Sequence, residues 1–189
     1  LGVTGEGIRI GHIDTGVDTA HPDLRGRIAV NLGEVPGNGL DDDGNGLIDD
    51  VRGWDFGDAD ADPTDDAVVA GHGTHTAGTL VGAGHAGMRT GVAPGAELVV
   101  AKVFSDQGAS SLGRLWAAQQ YCIEQGARVL SMSLGLRGEV PPAYLRNDRY
   151  NAEAIRAAGV LLVNSAGNSH ADFDPPLEIG MTARIPSPW

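Results

Sequence analysis

Short apolar runs alternate along the chain with longer segments in which apolar residues are spaced as on a helix. The apolar runs, which we predict to be strands, lie near residues 8 to 13, 97 to 104, 128 to 133 and 160 to 164. The predicted helices lie near residues 72 to 84, 111 to 125 and 149 to 158. Continuous apolar runs are typical of strands buried on both faces, and strands that alternate with helices form parallel sheets. The pattern therefore predicts an α/β fold, a doubly wound parallel sheet with helices on both faces.

Residues 71 to 79, GHGTHTAGT, place two histidines among residues with almost no side-chain bulk. Glycine destabilises a helix, so its repeated use here predicts that another part of the chain passes very close. His72 and His75 are three residues apart and would share a helix face, so they could bind one metal ion. The glutamate of the familiar zinc-hydrolase motif is missing, however, and two structural histidines are an alternative.

Polar residues follow the first and the last of the predicted strands. Asp14 ends the first strand, and Asn168 follows the strand near residues 160 to 164. In open α/β sheets the functional site lies outside the carboxyl ends of the strands. We therefore expect an acid, an imidazole and an amide donor to meet there, with His72 supplying the imidazole.

Five segments carry a family resemblance, and they occur in the order IDTGVDTAHPDL, GHGTHTAGT, GVAPGAELVVAKVF, SMSLG and NSAGNS. Together they resemble the subtilisin-like serine proteases, from about residue 8 to about residue 169. The resemblance implies that Asp14 is the acid of a catalytic triad, His72 the general base and Asn168 the side-chain donor of the oxyanion hole. By the same resemblance His75 is structural, and the substrates are proteins or peptides.

The nucleophile that the resemblance implies does not occur in the sequence. The family's serine lies in a Gly-Thr-Ser-Met-Ala segment beyond the oxyanion asparagine, whereas Ser131 and Ser133 lie in SMSLG, which resembles the substrate-binding strand. We expect residues 1–189 to be the N-terminal part of one peptidase domain, inactive without the missing C-terminal part of that domain. A catalytically inactive peptide-binding module and a calcium-dependent structural module are the alternatives.

The resemblance also implies how a peptide would bind. An extended substrate can be held by main-chain hydrogen bonds to free strand edges. The residues that match the family's binding walls are Gly108, Ser110, Ser133, Leu134 and Gly135. The floor of the primary pocket matches Ala166 and Gly167.

The negative charge is concentrated in one segment. The net charge is -12 at pH 7, and residues 34 to 66 alone contain eleven aspartates and one glutamate against the single Arg52. An acidic surface repels nucleic acid, so we expect no nucleic-acid partner. The glycines between the aspartates favour a cation site, and we interpret the segment as a calcium-binding insertion.

The first expected calcium site has the spacing of an EF-hand loop. Positions one, three, five, seven and nine of such a loop are occupied by Asp41, Asp43, Asn45, Leu47 and Asp49. Arg52 stands where the closing glutamate belongs. Either Asp49 or Asp50 would then close a shortened loop, or the loop is only a solvated acidic turn.

The second expected calcium site follows directly. It comprises Asp55, Asp58, Asp60, Asp62 and Thr64, which resemble a calcium site before the catalytic histidine of thermitase-like subtilases. Neighbouring carboxylates repel one another unless a cation intervenes, whereas a disordered acidic loop is the alternative. In both sites Ca²⁺ would hold loops in place rather than activate water.

The composition is that of a soluble globular domain, with 41% hydrophobic and 20% charged residues. No run of 18 or more apolar residues occurs, so we expect no membrane segment. Secretion is expected from the family resemblance and the acidic loop. The only cysteine, Cys122, and also His12, which shares a strand face with Asp14, are expected to be buried structural residues.

Overall fold

The computed structural model describes residues 2–66, 71–84, 88, 90–135 and 142–165. Its strands are β1 (Arg9–Asp14), β2 (Trp54–Asp55), β3 (Glu97–Lys102), β4 (Val129–Met132) and β5 (Leu161–Asn164). Its helices are α1 (His72–Val81), α2 (Leu112–Glu124) and α3 (Pro142–Ala157). All five strands pair in parallel in a single sheet, which confirms the predicted α/β fold.

The order of the strands puts β1 at the centre of the sheet. The order is β2-β3-β1-β4-β5, so β2 and β3 lie on one side of β1, and the chain then crosses to the other side to form β4 and β5. This reversal makes β1 the topological switch point, where open α/β sheets place their ligands. Asp14, the last residue of β1, lies at the carboxyl edge of that strand.

Helices cover both faces of the sheet. On one face α1 joins an apolar cluster with Leu98 and Val100 of β3. On the other face α2 packs against Val99 and Ala101 of the same strand, and α3 lies beside α2 and β5. Alternate residues of one strand therefore contact opposite apolar layers, as a strand buried on both sides requires.

The first turn of α1 lies directly against the turn after β1. A Cβ atom at Gly73 would lie 2.1 Å from the carbonyl oxygen of Gly16. Gly16 itself has φ of +113°, a backbone conformation that favours glycine. The close approach predicted from the glycines is therefore confirmed, and it brings the end of β1 next to the start of α1.

Most predicted elements are confirmed to within a few residues, with two differences. β2 is not predicted, because two residues carry no periodicity. α3 begins at Pro142 rather than near residue 149, and proline is well suited to the first turn of a helix. Cys122 and His12 are both buried, as expected.

Some sequence-based predictions fall beyond the described ranges. Asn168, Ala166 and Gly167 lie outside the residues that the structure describes. Within the described ranges, no helix combines the length and the apolar character needed to cross a membrane.

Candidate active site

Asp14 and His72 meet at the carboxyl edge of the sheet. Asp14 is 1% exposed, whereas His72 is the first residue of α1 and its side chain is about half-exposed. His72 Nδ1 lies 2.6 Å from Asp14 Oδ1. Because an ionised carboxylate only accepts hydrogen bonds, Nδ1–H donates this one, and in a neutral ring the lone pair is then on Nε2. An imidazole held in this tautomer can accept a proton from a neighbouring hydroxyl group.

The Asp14 carboxylate is also held from its other sides. The Thr15 N–H donates to Oδ1 at 2.8 Å, and the Thr76 hydroxyl lies 3.1 Å from Oδ2. The same hydroxyl oxygen is 2.9 Å from Nε2 of His12, which is 1% exposed. A second histidine thus reaches the carboxylate indirectly, through Thr76. Burial lowers the pKa of His12, and the nearby Asp14 and Asp65 oppose that shift only in part.

Asp65 caps the start of α1. The N-cap residue Gly71 has no side chain to do so, and the Asp65 carboxylate accepts the N–H groups of Gly71 and Thr74, each at 2.9 Å. Its other oxygen accepts the Thr15 hydroxyl at 2.8 Å. Asp65 therefore ties the turn after β1 to the start of α1. Asp65 was not predicted from the sequence, because it lies six residues before the N-cap Gly71, outside the position at which a capping residue is expected.

The residues expected to bind substrate follow strands on either side of β1. Gly108 and Ser110 follow β3, and Ser133, Leu134 and Gly135 follow β4. The Ser110 hydroxyl donates to the Val103 carbonyl at 2.6 Å, which leaves it little freedom to contact a ligand. Ser133 and Gly135 are exposed. Two segments thus flank the β1 edge at which Asp14 ends.

The first acidic loop forms what we call the loop cluster, Glu34, Asp41 and Asp43. One carboxylate oxygen from each of these residues lies within 4.8 Å of the others. Glu34 is 7% exposed and accepts the N–H groups of Asp42, Asp43 and Asp49 at 3.0 to 3.1 Å. Glu34 was not among the predicted ligands, because it lies outside the EF-hand spacing.

The other side chains predicted for this site, those of Asn45, Asp49 and Asp50, have hydrogen-bond partners of their own, and the Asn45 amide also donates to Asp43 at 3.2 Å. The Asp49 carboxylate accepts the N–H groups of residues 37 to 39, and the Asn45 side-chain oxygen accepts the Leu47 N–H. Asp50 is fully buried, where Asn31, Asn45 and the Tyr121 hydroxyl donate to it. Burial raises the pKa of Asp50, and these hydrogen bonds oppose the shift. Asp50 thus anchors the loop to α2, and it is not one of the three carboxylates of the loop cluster.

A second group of carboxylates, which we call the sheet-edge cluster, combines Asp55 and Asp58 of the second predicted site with Asp106. One carboxylate oxygen from each of these residues lies within 4.8 Å of the others. Lys102, 1% exposed, lies against this cluster: its Nζ is 2.9 Å from Asp55, 2.8 Å from Asp106 and 2.6 Å from Asp66. Burial alone would lower the pKa of Lys102, but the three carboxylates outweigh burial and raise it. Burial raises the pKa of Asp55, while the ammonium of Lys102 opposes that shift.

Three of the ligands predicted for this second site are not in the sheet-edge cluster. Asp60 accepts the Asp62 N–H at 2.9 Å, and Asp62 accepts both the N–H and the hydroxyl of Thr64. These contacts are local turns. Asp106 takes their place, and it was not predicted as a ligand because it lies far along the chain, four residues after the end of β3.

A family model for the subtilase family matches residues 5–187 of the chain. The chain belongs to the subtilase family. Its match extends over almost every described residue, including the segment that carries Asp14 and His72. The parallel α/β fold of the described residues is thus the fold of a subtilase chain.

Similar proteins include named serine proteases from distant organisms. Subtilisin-like protease 1 of Plasmodium berghei (strain Anka) is 32% identical over 182 residues, which are 93% of this chain and 29% of that protein. The major intracellular serine protease of Bacillus subtilis (strain 168) is 33% identical, over 88% of this chain and 44% of that protein. The crystal structure of a cold adapted subtilisin-like serine proteinase superposes with a TM-score of 0.63 at 32% identity, over 90% of this chain and 50% of that one. This subtilase chain therefore spans half or less of the length of these relatives.

Proposed function

We propose that the protein carrying this chain is a serine endopeptidase that hydrolyses peptide bonds in proteins or peptides. The observation that carries the proposal is the 2.6 Å hydrogen bond between His72 Nδ1 and the buried Asp14 carboxylate. The same conclusion is supported by the position of this pair at the switch point and by the names of the relatives, a subtilisin-like protease and an intracellular serine protease. The nucleophilic serine is proposed to lie in polypeptide outside these 189 residues.

In the proposed reaction His72 is the general base. Its Nε2 takes the proton of the serine hydroxyl as the oxygen attacks the peptide carbonyl, and later gives that proton to the leaving amine. Asp14 fixes the tautomer of His72 and stabilises its charged form. The side-chain amide of Asn168 is proposed to donate to the oxyanion as the tetrahedral intermediate forms.

The substrate is proposed to lie as an extended strand across the carboxyl edge of β1. The segments Gly108–Ser110 and Ser133–Gly135 would form its walls, because they follow the two strands that flank β1. Ala166 and Gly167 would line the floor of the primary pocket. Contacts of this kind involve mainly backbone groups and therefore give little side-chain specificity.

The loop cluster fits a Ca²⁺ ion. Carboxylate oxygens are the ligands that Ca²⁺ prefers, and three of them come within 4.8 Å in Glu34, Asp41 and Asp43. Within the described ranges, no lysine or arginine forms an ion pair with this cluster. Ca²⁺ there would supply the countercharge that holds the loop. We assign no Ca²⁺ to the sheet-edge cluster, because the Lys102 ammonium already lies against two of its three acids.

Secretion is part of the same proposal. Family membership leaves the compartment open, since the relative from Bacillus subtilis is named an intracellular protease. The support comes from the loop cluster, in which two of the three carboxylates are incompletely buried. Extracellular calcium modules of modest affinity fill at about 0.1 to 1 mM Ca²⁺, a concentration found outside cells.

The decisive experiment compares the two histidines of α1 in the intact protein. His72→Ala should lower kcat for a peptide substrate by about 10⁶-fold, a magnitude carried over from a subtilisin. His75→Ala, the matched control three residues along the same helix, should keep kcat per titrated active site within about threefold. Normal turnover by His72→Ala would remove that residue from the reaction. Peptide binding without any hydrolysis by the unmodified protein would instead support the inactive binding module.

A further inference from the structure

We propose that Thr76 and His12 are positioning residues for the triad carboxylate, joined in a directed chain of hydrogen bonds from His12 through Thr76 to Asp14. The inference rests on the proposed function, because Asp14 acts in catalysis only if the protein is a serine peptidase. It concerns Oδ2 of the carboxylate, whereas His72 contacts Oδ1. These hydrogen bonds connect β1 with α1, the two elements that carry Asp14 and His72.

The tautomer of His12 sets the direction of the chain. His12 is buried, and burial holds its pKa below the ordinary value, so the ring is neutral and carries one N–H. Its Nδ1 has no hydrogen-bond partner within the described part of the chain, whereas Nε2 lies 2.9 Å from Thr76 Oγ1. A buried N–H group without an acceptor costs more free energy than a buried, unprotonated ring nitrogen without a donor. The proton therefore belongs on Nε2, which donates to Thr76.

The hydroxyl proton of Thr76 then has two possible acceptors. Asp14 Oδ2 and the Gly73 carbonyl oxygen both lie 3.1 Å from Oγ1. An ionised carboxylate is the stronger acceptor, and a donor that itself receives a hydrogen bond is polarised toward its own acceptor. Thr76 therefore donates to Asp14, and His12 strengthens that bond without touching the carboxylate.

The two oxygens of Asp14 are thus held by different partners. Oδ1 accepts His72 Nδ1–H and the Thr15 N–H, whereas Oδ2 accepts the Thr76 hydroxyl. Within the residues that the structure describes, Thr76 is the one donor to Oδ2. Loss of this bond frees the carboxyl plane to rotate about its last side-chain torsion, which loosens the alignment of His72. Catalysis is sensitive to such small misplacements of a general base.

The experiment uses the intact protease and two matched pairs of variants. Thr76→Val removes the hydroxyl at almost constant volume, and Thr76→Ser retains it. His12→Met removes the N–H donor, and His12→Gln, of similar length, retains one. Thr79→Val is the control, because its exposed hydroxyl is on the same helix and, among the described residues, donates only to the His75 carbonyl at 3.3 Å. Active-site titration corrects every rate for the folded, competent fraction.

We expect Thr76→Val to lower kcat by about tenfold with KM unchanged, because one hydrogen bond to a charged group is lost. Thr76→Ser should recover most of that loss. His12→Met should lower kcat by about threefold and His12→Gln by less than about twofold, since His12 acts through Thr76. Thr79→Val should match the unmodified protein. A Thr76→Val enzyme with normal kcat, or a Thr76→Ser enzyme no better than it, overturns the proposal.

A second measurement separates this proposal from the proposed function. Nitrogen NMR of labelled histidines reports which ring nitrogen of His12 carries the proton, and needs no turnover. We expect an Nε2–H signal from His12 that shifts in Thr76→Val. An Nδ1–H signal overturns the directed chain even in an active enzyme. An intact protein that lacks peptidase activity but shows the Nε2–H signal refutes the proposed function and leaves the hydrogen-bond chain standing.

Discussion

The loop cluster and the sheet-edge cluster both hold carboxylates close together, and they differ in the groups that offset the repulsion between them. Each brings three carboxylates within 4.8 Å, and each contains one buried acid, Glu34 in the first and Asp55 in the second. In the sheet-edge cluster the ammonium of Lys102 lies against the carboxylates. In the loop cluster the partners of Glu34 are backbone N–H groups, which carry no net charge.

The difference predicts which cluster depends on a dissolved ion. Lys102 is covalently part of the chain and its pKa is raised, so it supplies its charge under all ordinary conditions. Backbone N–H groups offset only part of the repulsion among three carboxylates, and in the proposal made above a bound cation offsets the rest. The loop cluster should therefore respond to Ca²⁺, whereas the sheet-edge cluster should respond to the loss of Lys102.

The largest expected effect is that of Lys102→Met, which removes the cation from the sheet-edge cluster. The substitution leaves Asp55 buried and unpaired, so the free energy of unfolding should fall by about 3 to 5 kcal/mol at pH 7. The pKa of Asp55 is raised in the folded state, above the ordinary 3.8. Asp55 therefore becomes protonated more readily in the folded state as the pH falls toward its raised pKa, and the loss of unfolding free energy caused by Lys102→Met should become smaller. Urea unfolding at pH 7 and at pH 5, in a His72→Ala background that prevents self-cleavage, measures this loss at each pH.

The control for this substitution is Glu97→Gln. It breaks the exposed ion pair of Arg9 and Glu97, whose atoms are 3.4 Å apart, and should cost no more than about 1 kcal/mol. Equal losses from the two substitutions would mean that Lys102 is no more important to stability than a surface cation.

The second-largest effect is expected when Ca²⁺ is withheld from the intact protein. A ligand at 100 times its dissociation constant stabilises the native state by about 2.7 kcal/mol, so excess chelator should lower the melting temperature by several degrees. Residues 34 to 50 should lose hydrogen-exchange protection before the sheet does. Melting curves that are identical with Ca²⁺ and with chelator would contradict the assignment of Ca²⁺ to the loop cluster.

The smallest expected effect is the difference in Ca²⁺ affinity between substitutions of two neighbouring aspartates in one loop. Asp43→Asn removes a carboxylate from the loop cluster and should weaken Ca²⁺ binding by about tenfold, since ligand charge sets affinity in such loops. Asp42→Asn makes the same change in net charge one residue away, where the carboxylate accepts the Val35 N–H instead. Calorimetric titration with Ca²⁺ should show little change for Asp42→Asn. A similar loss for Asp58→Asn would extend Ca²⁺ binding to the sheet-edge cluster.

Sequence reasoning succeeded where one short segment carries the whole signal. The strand that ends at Asp14 and the glycine-rich helix start at His72 are each recognisable within ten residues, and the structure brings them together as predicted. Glu34, Asp65 and Asp106 were missed because they act across loops of irregular backbone. Their partners are set by how those loops fold, and no periodic pattern records that.

The dense hydrogen bonding of the acidic loop has a consequence for the lifetime of an active peptidase. A peptidase binds its substrates as extended strands, and an exposed loop of a neighbouring copy is such a substrate once it opens. Carboxylates of Glu34, Asp41 and Asp49 occupy the N–H groups of nine residues between 37 and 49, from Gly37 at 2.7 Å to Asn38 at 3.2 Å. Those bonds must break before the loop can be laid out for cleavage. If the proposed function is right, we therefore expect this loop to resist cleavage by neighbouring copies, because the free energy of opening it includes the loss of these hydrogen bonds.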